Sequence, residues 1–393
     1  MTLRTLDQLG DVDGARVFLR VDFNVPMRDG AVADDSRITA ILPTAQELIQ
    51  RGAHLIFASH LGRPHGKARD DLRLGPVGDR LAQLLDREVA TLSSPAPDPA
   101  DLPQAGIVLL ENLRFDAGEE ADDPAFAGRL AELADSYVND AFGAAHRRHA
   151  SVSALPELIL ASGRQAVAGR LLEREVRVLG QLLIAPVRPY VAILGGAKVS
   201  DKLSVIDALL ERVDALLIGG AMAFTFIAAR GGRVGTSLVE PDRYDDVRAF
   251  VEKAQRLGVK IVLPSDVVAG AAMDISAASR IVAADVIPDD LVGLDIGPQT
   301  VRAFSEVIAG AGTLLWNGPM GVSELAPFAS GTNGVAGAIA ASNAFTVVGG
   351  GDSVAAVKRA GLEGRFDHLS TGGGASLEFL EGRALPGITI LED

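Results

Sequence analysis

Cysteine is absent from this chain of 393 residues, which excludes disulfides, thiolate metal sites and thiol nucleophiles. Aromatic residues are scarce at 5%, so a core has to be built from Ala, Val, Leu and Ile. An excess of basic charge is also missing. The net charge is −14, and backbone binding of nucleic acid needs a broad basic face; an acidic surface of this kind serves solubility. The opening residues 1–14 carry no apolar stretch of the signal-peptide type, so a cytoplasmic protein is expected. No charged residue lies between Glu324 and Asp352, but Pro327, Asn333, Asn343 and repeated Gly interrupt that stretch. A spanning helix needs about 20 predominantly apolar residues, so the stretch reads as a buried helix and strand, and no membrane partner is expected. Two phosphate-binding fingerprints are missing too. Gly66-Lys67 is followed by Ala68 and has no upstream Gly, and the runs GGGDSV and GGGASL both lack the last Gly of a dinucleotide motif.

What is present is a rhythm. Hydrophobic residues make up 48% of the chain, with 43 Gly. Short apolar runs end in polar or Gly-rich turns and are followed by amphipathic stretches. In the first half the runs occupy 17–24, 54–64, 106–115 and 137–147; in the second half, 190–198, 215–222, 260–267, 313–321 and 345–353. Strand then helix, repeated this regularly, predicts an α/β protein with parallel sheets and right-handed crossovers. The length suits two domains. The helical pattern at 170–184 is the candidate connector, and the Pro-rich segment 93–103 is a surface loop without assigned function.

In open parallel sheets ligands bind beyond the carboxyl ends of the strands, so the residues after each apolar run carry the functional reading. The first half places Asp22, Asn24, His60, Arg63, Arg114, His146 and Arg147 there, with Arg37 just beyond the first run. A lone Arg is more often a solvated charge or a structural ion pair. Four of them after apolar runs point to a small, highly anionic ligand, because guanidinium forks match phosphate and carboxylate oxygens. His146 and His149 have helical spacing, but no third metal ligand accompanies them. The second half places glycines instead: Gly195-Gly196, Gly219-Gly220, Gly318, Gly349 to Gly351 and Gly372 to Gly374. Tight turns use Gly anyway. Five clusters in one half, with Lys198 and Lys202 after the first, favour nucleotide phosphates on free backbone N–H groups. Asp352 is a carboxylate suited to a phosphate-bound Mg²⁺.

Taken together, the segments RVDFNVPM (20–27), DDSRI (34–38), SHLGRP (59–64), LLENLRF (109–115), NDAFGAAHR (139–147), AILGGAKVSDKL (192–203), WNGPMG (316–321), GGGDS (349–353) and STGGGASLE (370–378) resemble the phosphoglycerate kinase family, in its order and over essentially the whole chain. The resemblance implies two Rossmann-like lobes, each a parallel sheet flanked by helices, separated by a hinged cleft. The lobes would comprise 1–170 with 376–393 returning, and 186–375, joined by 171–185. It implies reversible phosphoryl transfer between 1,3-bisphosphoglycerate and MgADP, giving 3-phosphoglycerate and MgATP, in a monomer. Asp22, Asn24, Arg37, His60, Arg63, Arg114 and Arg147 would hold the phosphoglycerate. Lys202, Gly219, Gly220, Glu324, Gly350, Gly351, Asp352 and Ser353 would hold the nucleotide, with Asp352 approaching Mg²⁺. Arg37, Lys198 and the backbone of Gly372, Gly373 and Gly374 would surround the phosphoryl group in flight. Hinge flexing is expected near 168–185 and 374–378. Two positions depart from the pattern: Ala221 stands where a third Gly is frequent, and Arg148 beside Arg147 offers a second phosphate contact. The rivals are a dehydrogenase, which lacks its fingerprint here, and a non-enzymatic two-lobed anion-binding protein.

Overall fold

The apolar runs form strands that are buried on both faces, as parallel strands covered by helices require. In a computed structural model, which describes residues 2–103, 106–276 and 278–393, Tyr190–Leu194 and Thr313–Asn317 are buried at every position, and Arg16–Arg20 and His54–Ala58 at all but the first. The chain divides into two compact units, Met1–Arg177 with Ala384–Asp393, and Val178–Arg383.

The sheet of the first unit has six strands, all paired in parallel. From one edge the order is Ala90–Thr91, Ile107–Leu109, His54–Ala58, Arg16–Arg20, Ser136–Asn139 and Ala166–Ala168. The first strand in sequence therefore lies inside the sheet. The chain winds out to one side and then returns to the other, which makes the carboxyl end of Arg16–Arg20 a topological switch point. The core below is aliphatic, with Val17, Leu19, Leu55 and Val138 buried beside Phe57, which stacks on Phe23 with ring centroids 6.0 Å apart. Each fully buried side chain of that size contributes about 1.5–3 kcal/mol. Helix Gly75–Leu85 covers this face with Val77 and Leu81, four apart, and ends where Asp86 turns left-handed at φ 52°. The C-terminal residues close the unit: Arg4 N donates to Leu391 O at 2.9 Å, and Asn139 Nδ2 to Gly387 O at 3.0 Å.

The second unit repeats the plan with the order Lys260–Val262, Ala215–Ile218, Tyr190–Leu194, Thr313–Asn317, Phe345–Gly349 and His368–Leu369, again all parallel. Helix Tyr244–Leu257 shows the local logic. Val247, Phe250 and Ala254 form its buried stripe, acids occupy its first turn, and Gly258 at φ 74° ends it.

One element of this unit departs from the parallel expectation. Asp266–Gly270, Ser279–Ala283 and Val292–Ile296 form an antiparallel sheet, with Asp266–Gly270 in the middle. The link from Asp266–Gly270 to Ser279–Ala283 is too short for a crossover helix, so these two pair head to tail, and Val292–Ile296 then pairs along the other edge of Asp266–Gly270. A helix spans Arg170–Ile184, and the division between units falls inside it, after Arg177. The returning segment starts at Ala384, later than the expected 376, because helix Gly374–Leu380 packs on helix Leu203–Leu210 of the second unit. No helix among the described residues is long and apolar enough to cross a membrane.

Candidate active site

In the first unit the strand ends bring five of the seven expected residues into one connected group. Asp22 follows strand Arg16–Arg20, and its Oδ2 accepts a bond of 2.5 Å from Arg37 Nη1, presented by the short helix Ser36–Ala40. Asn24 Oδ1 accepts from Gly62 N at 2.9 Å, tying the first strand end to the second. Gly62 O in turn accepts from Arg114 Nη1 at 2.8 Å, delivered by the turn after Ile107–Leu109. Arg114 is buried, and its Nε lies 3.4 Å from Glu120 Oε1. His60 is buried, and desolvation, then Arg20 and Arg114, hold its pKa well below the usual histidine range. The ring is therefore neutral at physiological pH and acts as a hydrogen-bonding group.

Arg63 and Arg147 stand outside this group as exposed side chains, Arg147 Nε reaching His146 Nε2 at 3.2 Å. Arg148 has acidic neighbours, lying 3.8 Å from Asp122 and 3.9 Å from Glu157. Its charge is thus already matched, while Arg147 has no ion pair among the described residues. His146 and His149 sit in an irregular turn, so they do not share the helical face that their spacing suggested.

Sequence reasoning missed the layer beneath. Arg20 is fully buried, with Nε donating to Ser151 Oγ at 2.7 Å and Nη2 lying 3.4 Å from His60 Nδ1 and 3.8 Å from Glu119 Oε1. Glu119 also accepts from Ser151 N at 2.9 Å and Ser151 Oγ at 2.6 Å. Burial raises its pKa, against the pull of Arg20. The available signal was an Arg inside an apolar run, a position that is affordable only with a buried partner.

In the second unit the switch point lies between Tyr190–Leu194 and Thr313–Asn317. Their backbones nearly touch beyond the strand ends. A Cβ on Gly318, at φ 97°, would fall 2.2 Å from Gly195 O, so no other residue fits. Lys202 crosses this crevice: its Nζ donates to Asn317 O at 2.9 Å and to Asn317 Oδ1. Burial lowers its pKa to about 8, while Asp352 and Asp201 pull it upward. Ser353, fully buried at the start of helix Gly351–Arg359, accepts from Gly318 N at 2.6 Å through Oγ. Lys198 is exposed in the loop between Gly196 and Lys202. Gly373, at φ 52°, precedes helix Gly374–Leu380. Gly219 is buried against Met320.

Beside the crevice lies a cavity of 530 Å³ in which Gly196, Gly220, Glu324 and Asp352 meet an apolar wall. That size suits a small-molecule ligand. Its wall includes Phe224, Leu238, Gly293, Leu294 and Val322, none of them picked out from the sequence. Apolar residues on four separate segments carry no sequence mark that distinguishes them from core. Ala221 also lines it.

A cluster of arginines at one switch point, and a Gly-lined cavity beside a desolvated lysine at another, suit an α/β phosphotransferase. The phosphoglycerate kinase family profile matches residues 6–383. The chain is 54% identical to phosphoglycerate kinase of Salinispora tropica, with 100% of both chains covered. It is 50% identical to that of Moorella thermoacetica over 100% of this chain and 99% of the relative. Among solved structures, phosphoglycerate kinase from Coxiella burnetii superposes with a TM-score of 0.88 at 38% identity, covering 99% of each chain. The Pyrococcus horikoshii enzyme gives 0.82 at 31%, covering 99% and 98%. The chain belongs to the phosphoglycerate kinase family.

Proposed function

We propose that this protein catalyses reversible phosphoryl transfer between 1,3-bisphosphoglycerate and ADP, giving 3-phosphoglycerate and ATP. The observation that carries the reading is the cavity at the second switch point: apolar on one side for a base, with glycines and Asp352 on the other for phosphates, beside the crevice that Lys202 crosses. A non-catalytic anion-binding protein has no use for that second site.

Towards ATP, an ADP oxygen attacks the acyl phosphorus, the bond between phosphorus and the carboxyl oxygen breaks, and 3-phosphoglycerate leaves as a carboxylate. Attacking and leaving groups are both anionic oxygens, so no general base is required. The work is alignment and charge neutralisation of the group in transit. Asp22, Asn24, His60, Arg63, Arg114 and Arg147 bind the phosphoglycerate. Arg37 and Lys198 bring positive charge to the transferring group, and the amides at Gly372 to Gly374 add neutral donors. Lys202 and residues Gly350 to Ser353 hold the nucleotide phosphates, Gly219 and Gly220 border the base, and Glu324, which lines the cavity, contacts the nucleotide.

The nucleotide enters with Mg²⁺. Among the described residues no three His, Asp or Glu gather into a metal cage. An exposed Asp352 at a helix start fits an ion whose other ligands are phosphate oxygens and water. Held there, the ion would neutralise phosphate charge. Donor and acceptor bind to different units, and the reading includes a hinge movement about helix Arg170–Ile184, through which the chain passes from one unit to the other. The enzyme acts as a cytoplasmic monomer. A coupled assay with 3-phosphoglycerate and MgATP, trapping the acyl phosphate, tests the reading. Turnover supports it, and no turnover by protein that binds both ligands refutes it.

A further inference from the structure

Asp295 lies in strand Val292–Ile296, 3% exposed, at the edge of the nucleotide cavity. Its Oδ2 accepts from Gly331 N at 2.6 Å, in the first turn of helix Ser330–Ala340, and its Oδ1 accepts from Ile296 N at 2.9 Å. The next residue back, Leu294, accepts from Val322 N at 2.9 Å. Segment 318–331 is thus fastened at two places to one strand, and between them it presents Glu324. The fit is tight, since a Cβ on either Gly321 or Gly331 would come within 2.3 Å of Asp295 Oδ1. A carboxylate is the acceptor suited to a helix start, where free N–H groups and the dipole favour negative charge.

Resting on the nucleotide reading of this cavity, we infer that Asp295 is a positioning residue for the base-and-ribose end of the nucleotide, holding segment 318–331 in register through the Gly331 amide. Its charged surroundings are sparse. Helix Ser330–Ala340 has no charged side chain. Asp266, on the neighbouring strand, is committed to the Gln299 and Thr300 amides at 3.0 and 2.8 Å. Glu324 and Asp352 line the cavity, and Arg359 Nη2 is engaged by Ser323 Oγ at 2.9 Å. Burial therefore dominates and pushes the Asp295 carboxyl up to about 7, against the two amides. The protonated acid has lost an acceptor, so the grip is strongest above neutrality.

Adenosine is the probe, because it has no phosphate and no group that titrates between about pH 5.5 and 8.5. The wild-type dissociation constant is expected to rise about three- to tenfold from pH 8.5 to 5.5, with its midpoint near 7. In Asp295→Asn, whose amide resembles the protonated acid, adenosine should bind at the weaker level throughout, with phosphoglycerate affinity unchanged. A variant with wild-type adenosine affinity and pH profile overturns the inference. If the variant does not fold, the wild-type titration decides alone, and a flat profile overturns it. Wild-type protein that binds neither adenosine nor MgADP refutes the nucleotide reading itself, and the inference falls with it.

Discussion

Titrating Lys202 removes a positive charge from the proposed nucleotide site without changing a covalent bond. Its Nζ is half-enclosed against Asn317, and desolvation brings its pKa down to about 8. The sign follows directly: the ammonium is present below that value and lost above it. Bound phosphates favour the charged form, so affinity should track the protonated fraction of the free protein. That fraction is about nine-tenths at pH 7 and about one-tenth at pH 9, which gives roughly a tenfold loss, or about 1.4 kcal/mol. The assay is MgADP binding followed by the fluorescence of Trp316, the chain's only Trp, which sits at the crevice with Nε1 donating to Gly318 O at 2.7 Å. Lys202→Met should bind at the weakened level across the whole range. A flat wild-type profile between pH 7 and 9, or the same slope in Lys202→Met, refutes the reasoning.

Arg37→Ala should lower kcat about 10³-fold or more while changing phosphoglycerate affinity much less, because its charge is required chiefly by the group in transit. Near-normal kcat in steady-state assays would remove Arg37 from that role. Asp140 is fully buried, accepts from Leu172 N at 3.0 Å, and is pushed up to about 7 by burial. With a folded pKa above the unfolded value of 3.8, stability is fully present below 3.8 and is lost as pH rises through 7. Asp140→Asn should therefore gain little at pH 4 and about 1–4 kcal/mol at pH 8 in denaturant titrations; a gain independent of pH contradicts this. Gly318→Ala should cost about 2–4 kcal/mol of stability and most nucleotide affinity, since its Cβ would meet backbone that cannot retreat. Calorimetry showing an unchanged melt would refute that packing argument.

The strand–helix rhythm was legible because burial on both faces of a parallel strand leaves a short apolar run, and the residue after it lies at the binding edge. That is why Asp22, His60, Arg114 and Lys202 could be located, and why the glycines of the second half stood out. The antiparallel sheet was not legible: KIVLPSDV reads as one run, yet Lys260–Val262 and Asp266–Gly270 enter different sheets. The resemblance supplied expectations that spacing alone left open, such as a nucleotide-binding role for Glu324.

What the sequence determined by itself was local: which residues are buried, where the chain turns, and which charges sit at strand ends. Pairings between distant segments were decided only by tertiary structure. Arg20 meets Ser151, 131 residues away, Lys202 meets Asn317, 115 away, and Asp295 meets Gly331, 36 away. Periodicity records the burial that each residue experiences and not the identity of what buries it. The partner is chosen when whole sheets wind and their carboxyl ends converge, so the buried Arg20 layer and the wall of the cavity exist only in the folded chain.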